Sequence, residues 1–129
     1  MADDSRIDDL RRRLQQDPAS IAFAPLAEAW RRAGRYQESV DVCRQGLAFH
    51  PGYLSAKVTL ARALIELDQM EEAAQELEAV RQSAPENVAA IRALADLQHR
   101  ADRLRATRTL AALDQWLAAI HVARADRRA

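Results

Sequence analysis

Apolar residues recur along this chain at the three- and four-residue spacing of helix faces, in runs separated by short polar breaks. Ile7, Leu10 and Leu14 form the first stripe, on a helix expected from about Arg6 to Gln16 within segment 5–17, and Asp17-Pro18 breaks it. Asp8 and Asp9 sit early in that helix, where its dipole favours acids, and Arg11-Arg12-Arg13 point to solvent on the opposite face. Phe23, Leu26, Ala27 and Trp30 make the inward face of a second helix that Ser20 is placed to cap. Pro25 lies slightly beyond the first turn of a helix capped there, so the spacing predicts a bent or late start. Gly34 is expected to end the helix in the left-handed region. Tyr36, Ser39, Val40, Cys43 and Leu47 face inward from a third helix, Gly46 falls where two helices approach closely, and His50-Pro51-Gly52 closes the pair.

The same order then returns. Leu60, Ala61 and Leu64 face inward, Asp68 takes the turn, Met70, Ala73, Leu77 and Val80 face inward again, and Pro85 closes the unit. Ile91, Leu94 and Ala95 open a third unit, in which Gln98 replaces a large apolar residue. Its turn is expected at Ala101-Asp102-Arg103-Leu104, and its second helix, from about Arg103, carries Leu110, Leu113, Leu117 and Ile120 past the normal end. Sliding the chain along itself by 34 residues sets Leu26 on Leu60 and Leu94, Ala27 on Ala61 and Ala95, and Pro51 on Pro85. A fixed period of this size marks a solenoid, with units at 20–53, 54–87 and 88–121 and a basic tail at 122–129.

Composition supports an all-α chain: 129 residues, 49% hydrophobic, with only three Gly and four Pro. Lys plus Arg and Asp plus Glu each total 19, so the electrostatic footprint of a general nucleic-acid binder is missing. Arg100, Arg103, Arg105 and Arg108 cluster at the last predicted turn, but without accompanying aromatic residues they read as a solvated helix start. The single cysteine, Cys43, excludes an intramolecular disulfide and reads as a core thiol. The start, Met1 to Ser5, is acidic and carries no apolar run, so it is not a signal peptide. No stretch approaches the roughly 20 apolar residues of a membrane span. The expected location is therefore cytoplasmic. His50, His99 and His121 are widely separated, three glycines cannot make a phosphate loop, Glu71 and Glu72 point apart, and Ser20 and Ser55 have no base nearby. The expectation is a protein that is not an enzyme and needs no cofactor or metal.

The repeating unit resembles the tetratricopeptide repeat. The first unit offers Phe23, Leu26-Ala27, Trp30, Gly34-x-Tyr36, Ser39, Gly46 and Pro51; the second offers Leu60-Ala61, Leu64, Met70, Ala73 and Pro85; the third offers Leu94-Ala95 and Leu104 but lacks the proline. Lys57 departs where an aromatic is usual. The resemblance implies a right-handed superhelical α-solenoid of antiparallel helix pairs. It would hold about three 34-residue units with an N-terminal helix and a long C-terminal capping helix. The short stripe of the N-terminal helix leads into the first unit, so it is expected to fold against that unit, the alternative being that it folds into the groove. One helical hairpin cannot bury its apolar face alone; stacking buries it, and a small rotation per unit curves the stack. The first helices then line a concave groove that takes extended or helical peptides. The family's carboxylate clamp for the C-terminus of heat-shock chaperones uses lysines, asparagines and an arginine, and here Ala24, Glu28 and Thr59 stand at three of those positions. The clamp is expected to be absent.

By register, the groove is expected to show Ile21, Ala24, Glu28 and Arg31 from the first unit, Ser55, Val58, Arg62 and Ile65 from the second, and Ala89, Arg92, Asp96 and His99 from the third. Val58, Ile65, Ile21 and Ala89 would grip an apolar side chain, and Arg62 and Arg92 would pair with an acidic peptide. The alternative is that Glu28, Arg62 and Asp96 pair with one another across adjacent helices. The leading functional expectation is a small adaptor or scaffold binding a peptide segment of a protein partner. The alternatives are a dedicated cytosolic chaperone for a secretion or pilus component, and a homo-oligomer built through the terminal helices. Trp116 separates a cap from an interface: buried, it caps the last repeat, whereas exposed beside Leu113 and Ile120 it marks an interface.

Overall fold

The computed structural model describes residues 2–128; Met1, at the acidic start, and Ala129, at the end of the basic tail, lie outside the described residues. Six helices follow in order: α1 (Ala2–Gln16), α2 (Phe23–Arg32), α3 (Tyr36–Phe49), α4 (Leu54–Glu66), α5 (Met70–Ser83) and α6 (Val88–Arg128). No strand occurs among the described residues. A first compact unit ends at Ala95 and a second begins at Asp96.

In the first unit, α2/α3 and α4/α5 are helix pairs, and α4 packs on both α3 and α2. Their turns share one geometry. After α2, Gly34 adopts φ +78°, its N–H donates to the Arg31 carbonyl at 3.0 Å, and the Arg35 N–H donates to the Trp30 carbonyl at 2.9 Å. After α4, Asp68 adopts φ +61°, with Asp68 N–H to Ile65 at 3.1 Å and Gln69 N–H to Leu64 at 2.9 Å. Both are left-handed caps that satisfy the last carbonyls of the preceding helix.

Most of the inward positions form the core, whereas Trp30, Tyr36, Leu47 and Met70 are half-buried. Phe23, Leu26, Ala27, Val40, Cys43, Leu60, Ala61, Leu64, Ala73, Leu77 and Val80 are all buried. Ser39, also buried, donates its hydroxyl to the Ala27 carbonyl at 2.8 Å and so ties α3 to α2. Burial pushes the Cys43 thiol up to about 12, aided by the charges of Glu28 and Glu76. It donates to the Ala56 carbonyl at 3.6 Å. This thiol is a core group without nucleophilic character. The Phe23 ring stacks on His50 with 5.9 Å between centroids and meets the edge of Tyr53 at 5.5 Å. Ile7 and Leu10 of α1 are buried with Ala22 and Leu26, and Leu14 packs beside them, so the N-terminal helix lies against the first pair. Arg44 of α3 and Glu72 of α5 form an exposed ion pair at 2.5 Å.

Two expectations are corrected. Ser20 does not cap α2. Its Oγ accepts the Ala22 N–H at 3.1 Å in a short turn, and α2 starts later, at Phe23. Pro25 therefore falls in the first helical turn, where its missing N–H has no helical partner to lose. The larger correction concerns the turn expected at 101–104, because α6 runs unbroken through it for 41 residues. The 34-residue register explains this. Met70, Ala73, Leu77 and Val80 map onto Leu104, Thr107, Ala111 and Asp114. A helix folded back there would offer a hydroxyl, a methyl and a carboxylate where the second unit offers an apolar face. Asp102 stands where Asp68 takes the left-handed turn, but with no apolar face to fold back and strong helix formers around it, the helix continues. The buried face at the start of α6 is also shifted: Ala90 and Ala93 are buried, Leu94 is half-buried, and Ile91 and Ala95 are exposed.

Candidate functional site

α2 and α4 are neighbours at one repeat's separation, so equivalent side chains stand in adjacent rows. Ala24 and Val58 share one register position, Glu28 and Arg62 another, and Pro25 and Thr59 a third. These six, with Arg32, Tyr53, Ser55, Asn87 and Ala89, line a groove of about 450 Å³ within the first unit. Of the side chains expected in the groove, Ala24, Glu28, Ser55, Val58, Arg62 and Ala89 are brought together. Pro25, Thr59, Tyr53 and Asn87 were not named for the groove by register. The signal for them lay in the repeat itself, because 25 and 59, like 53 and 87, are one period apart. Asn87 caps α6 through its Oδ1, which accepts the Ala90 N–H at 3.0 Å.

The charged side chains of the groove, Glu28, Arg32 and Arg62, behave differently. Glu28 Oε1 accepts from Arg31 Nη2 at 2.6 Å and from Arg32 Nε at 3.1 Å, while Oε2 accepts from Arg31 Nε at 3.0 Å and from the Thr59 hydroxyl at 3.3 Å. Burial pushes this carboxyl up, but the hydrogen bonds and charges of Arg31 and Arg32 outweigh it and hold the carboxyl below its ordinary value. The hydrogen bonds that Arg31 donates to Glu28 correspondingly raise Arg31 against a smaller effect of burial. Glu28 is thus ionised and fully engaged. Arg62, half-buried on α4, makes no ion pair or side-chain hydrogen bond among the described residues. The pairing of Glu28 with Arg62 across helices is therefore corrected, since Glu28 pairs along its own helix; in the second unit, Asp96 lies 3.3 Å from Arg100, one turn along α6. The reason is distance in sequence, since partners three and four residues apart on a helix are already adjacent.

The other expected residues do not line the groove. Ile65 is 1% exposed and belongs to the core. Its register position straddles core and groove: the apolar side chain is fully drawn inward there, whereas Arg31 at the equivalent position is half-buried with its guanidinium held by Glu28. Ile21 is exposed in the turn before α2, and Arg92 is exposed near the start of α6. Asp96 and His99 belong to the second unit. In that unit Leu113, Trp116 and Leu117 are exposed, Trp116 at 61%, and Ile120 is partly exposed. Trp116 is thus not buried in a cap. No helix of the described residues is long and apolar enough to cross a membrane.

Against known proteins, residues 31–97 match the family model described as Tetratricopeptide repeat. No curated protein matches the chain. Among solved structures, the second TPR domain of the human RPAP3 protein, in complex with the HSP70 peptide SGPTIEEVD, is 26% identical with TM-score 0.68, covering 71% of this chain and 78% of that one. The first TPR of Spaghetti (RPAP3), bound to the HSP90 peptide SRMEEVD, is 22% identical with TM-score 0.74, covering 78% and 81%. The first TPR domain of human RPAP3 is 23% identical with TM-score 0.71, covering 75% and 77%.

Proposed function

This chain belongs to the tetratricopeptide repeat family, and on that premise we propose that it is an adaptor that holds a peptide segment of a partner protein in the groove between α2 and α4. The observation that carries this reading is Arg62: a half-buried cation with no ion pair among the described residues, beside the apolar walls of Ala24, Val58 and Ala89. Such a site suits a peptide that places an acidic side chain next to a small apolar one. Glu28 gives the groove its selectivity. This residue stands at a position where the family's clamp places a hydrogen-bond donor, and its oxygens, already held by Arg31 and Arg32, can only accept, so it offers a free C-terminal carboxylate no hydrogen bond there. The ligand is therefore an internal peptide segment, and the groove works without the heat-shock carboxylate clamp.

The test uses two kinds of fluorescent peptide in anisotropy titrations against the whole chain. SGPTIEEVD and SRMEEVD, with free C-termini, are expected to bind weakly. A panel of end-capped peptides with single internal acids flanked by Ala, Val or Leu is expected to contain members that bind at least about tenfold tighter. Equal or tighter binding of the free-carboxylate peptides defeats the clamp-free reading. Silence of both sets, with the chain shown to be folded, defeats the groove.

A further inference from the structure

The second unit carries an unexplained pattern. Leu110, Leu113, Leu117 and Ile120 follow one another at steps of 3, 4 and 3 residues, the seam of two heptads. This is the register of a helix that pairs with another helix, displaced from the positions that a third repeat would bury. Leu110, Leu113 and Leu117 are exposed, and Trp116 flanks them at 61% exposure. No residue of the described part of this unit is buried. The same seam continues in both directions with arginine: Arg103 lies seven residues before Leu110, Arg124 seven after Leu117, and Arg127 seven after Ile120. None of these three guanidiniums has an ion pair among the described residues. From 103 to 128 the helix holds six arginines against Asp114 and Asp126.

We infer that this seam is a docking surface for a helix of a different protein, amphipathic over two heptads and acidic at both ends. The heptad spacing demands a helical partner, because only a second helix places knobs at this interval into the holes between Leu110, Leu113, Leu117 and Ile120. The arginines dictate its ends. They also argue against a second copy of this chain. A parallel pair would set Arg103, Arg124 and Arg127 each against itself, and an antiparallel pair that aligns the leucines would set Arg103 of one copy beside Arg127 of the other. Like charges at seam positions are a device that rejects such pairings, whereas Glu or Asp at those places turns all three into ion pairs.

The experiment titrates the full chain with a synthetic four-heptad helical peptide carrying Leu and Ile at its central seam positions and Glu at both ends. A second peptide differs only in having Lys at the ends. The acid-ended peptide is expected to bind one to one, at least about tenfold tighter than the Lys-ended one. Leu113→Asp/Leu117→Asp should abolish binding with the helical circular dichroism of the chain retained, and Arg103→Glu/Arg124→Glu/Arg127→Glu should invert the preference between the peptides. Equal binding of both peptides, binding that survives the Leu113/Leu117 change, or no binding of the acid-ended peptide overturns the proposal. Two further results overturn it by naming another occupant. One is a concentration-dependent dimer in sedimentation that Leu113→Asp/Leu117→Asp dissolves; the other is binding to phosphatidylserine vesicles that the same change removes. Arg62→Glu, in the groove, should leave the helix titration unchanged.

Discussion

A β-carbon on Gly46 would lie 2.0 Å from the ring of Phe23. The glycine is thus what lets α3 lie flush on the ring that starts α2. Two opposing effects meet in Gly46→Ala. Alanine favours the helix by up to about 1 kcal/mol, but the ring must move, and it is already held by His50 and Tyr53. Overpacking of this kind costs about 1–3 kcal/mol. The net outcome should be a loss of stability in urea denaturation, part of which returns in Gly46→Ala/Phe23→Leu.

Gly34 and Asp68 hold the same left-handed cap with different side chains. For an L-residue that conformation costs roughly 1–2 kcal/mol, less for Asp. Gly34→Ala should therefore lower the unfolding free energy by about 1 kcal/mol. Asp68→Gly should raise it by several tenths, since the relief of strain is partly offset by a looser unfolded chain. Thermal melts of the two variants should shift in opposite directions.

Glu28 makes the stability of the first unit depend on acid. Its carboxyl in the folded chain lies below the ordinary value of 4.5, despite burial, because Arg31 and Arg32 bind it. Its contribution is fully present above that pH and is lost as pH falls through the lower folded value. Glu38, bound by Arg35, and Glu78, bound by Arg81, share this direction at the surface. The chain should weaken steadily below pH 4.5, and Glu28→Gln should be less stable at neutral pH with a shallower fall toward acid, read by denaturant midpoints across pH.

In the groove, Arg62→Glu should lower the affinity of an internally acidic, end-capped peptide by roughly tenfold or more, because an ion pair becomes a repulsion. Arg92→Glu, outside the groove lining, should change it little. Glu28→Gln should instead raise the affinity of SRMEEVD, the free-carboxylate ligand, because the amide can donate to a carboxylate and the arginines that bind Glu28 are released. Anisotropy titrations with the three variants separate these roles.

The helix pairs were legible because burial obeys the repeat: Leu26, Leu60 and their neighbours recur at 34 residues and are buried where the period puts them. The groove was legible in outline for the same reason, since rows such as Ala24 and Val58 follow from register alone. What register could not resolve was depth. Ile65 and Arg31 share a position, yet the apolar chain turns fully into the core while the cation stops half-buried on Glu28. Nor did it resolve pairing, because Glu28 had closer cations on its own helix than Arg62. The missing third turn had a readable cause, the polar residues Thr107 and Asp114 at positions of core side chains, but the matches at Leu94 and Ala95 drew the repeat onward past it.

The unbroken α6 has a thermodynamic consequence. From Asp96 onward it holds its shape without a single buried side chain among the described residues. A helix held by its backbone and by side-chain pairs three and four residues apart, such as Asp96–Arg100 and Gln98–Asp102, is marginal in water, even at favourable composition. Amide hydrogens of this stretch should exchange with solvent through local opening, well ahead of those in α3 to α5. Any molecule that grips the Leu113 face then does two things at once: it makes its contacts and it freezes a fluctuating helix. Calorimetry should show a strongly favourable enthalpy opposed by entropy, together with a negative heat-capacity change. Part of the contact energy is thereby consumed in ordering, which keeps the complex reversible.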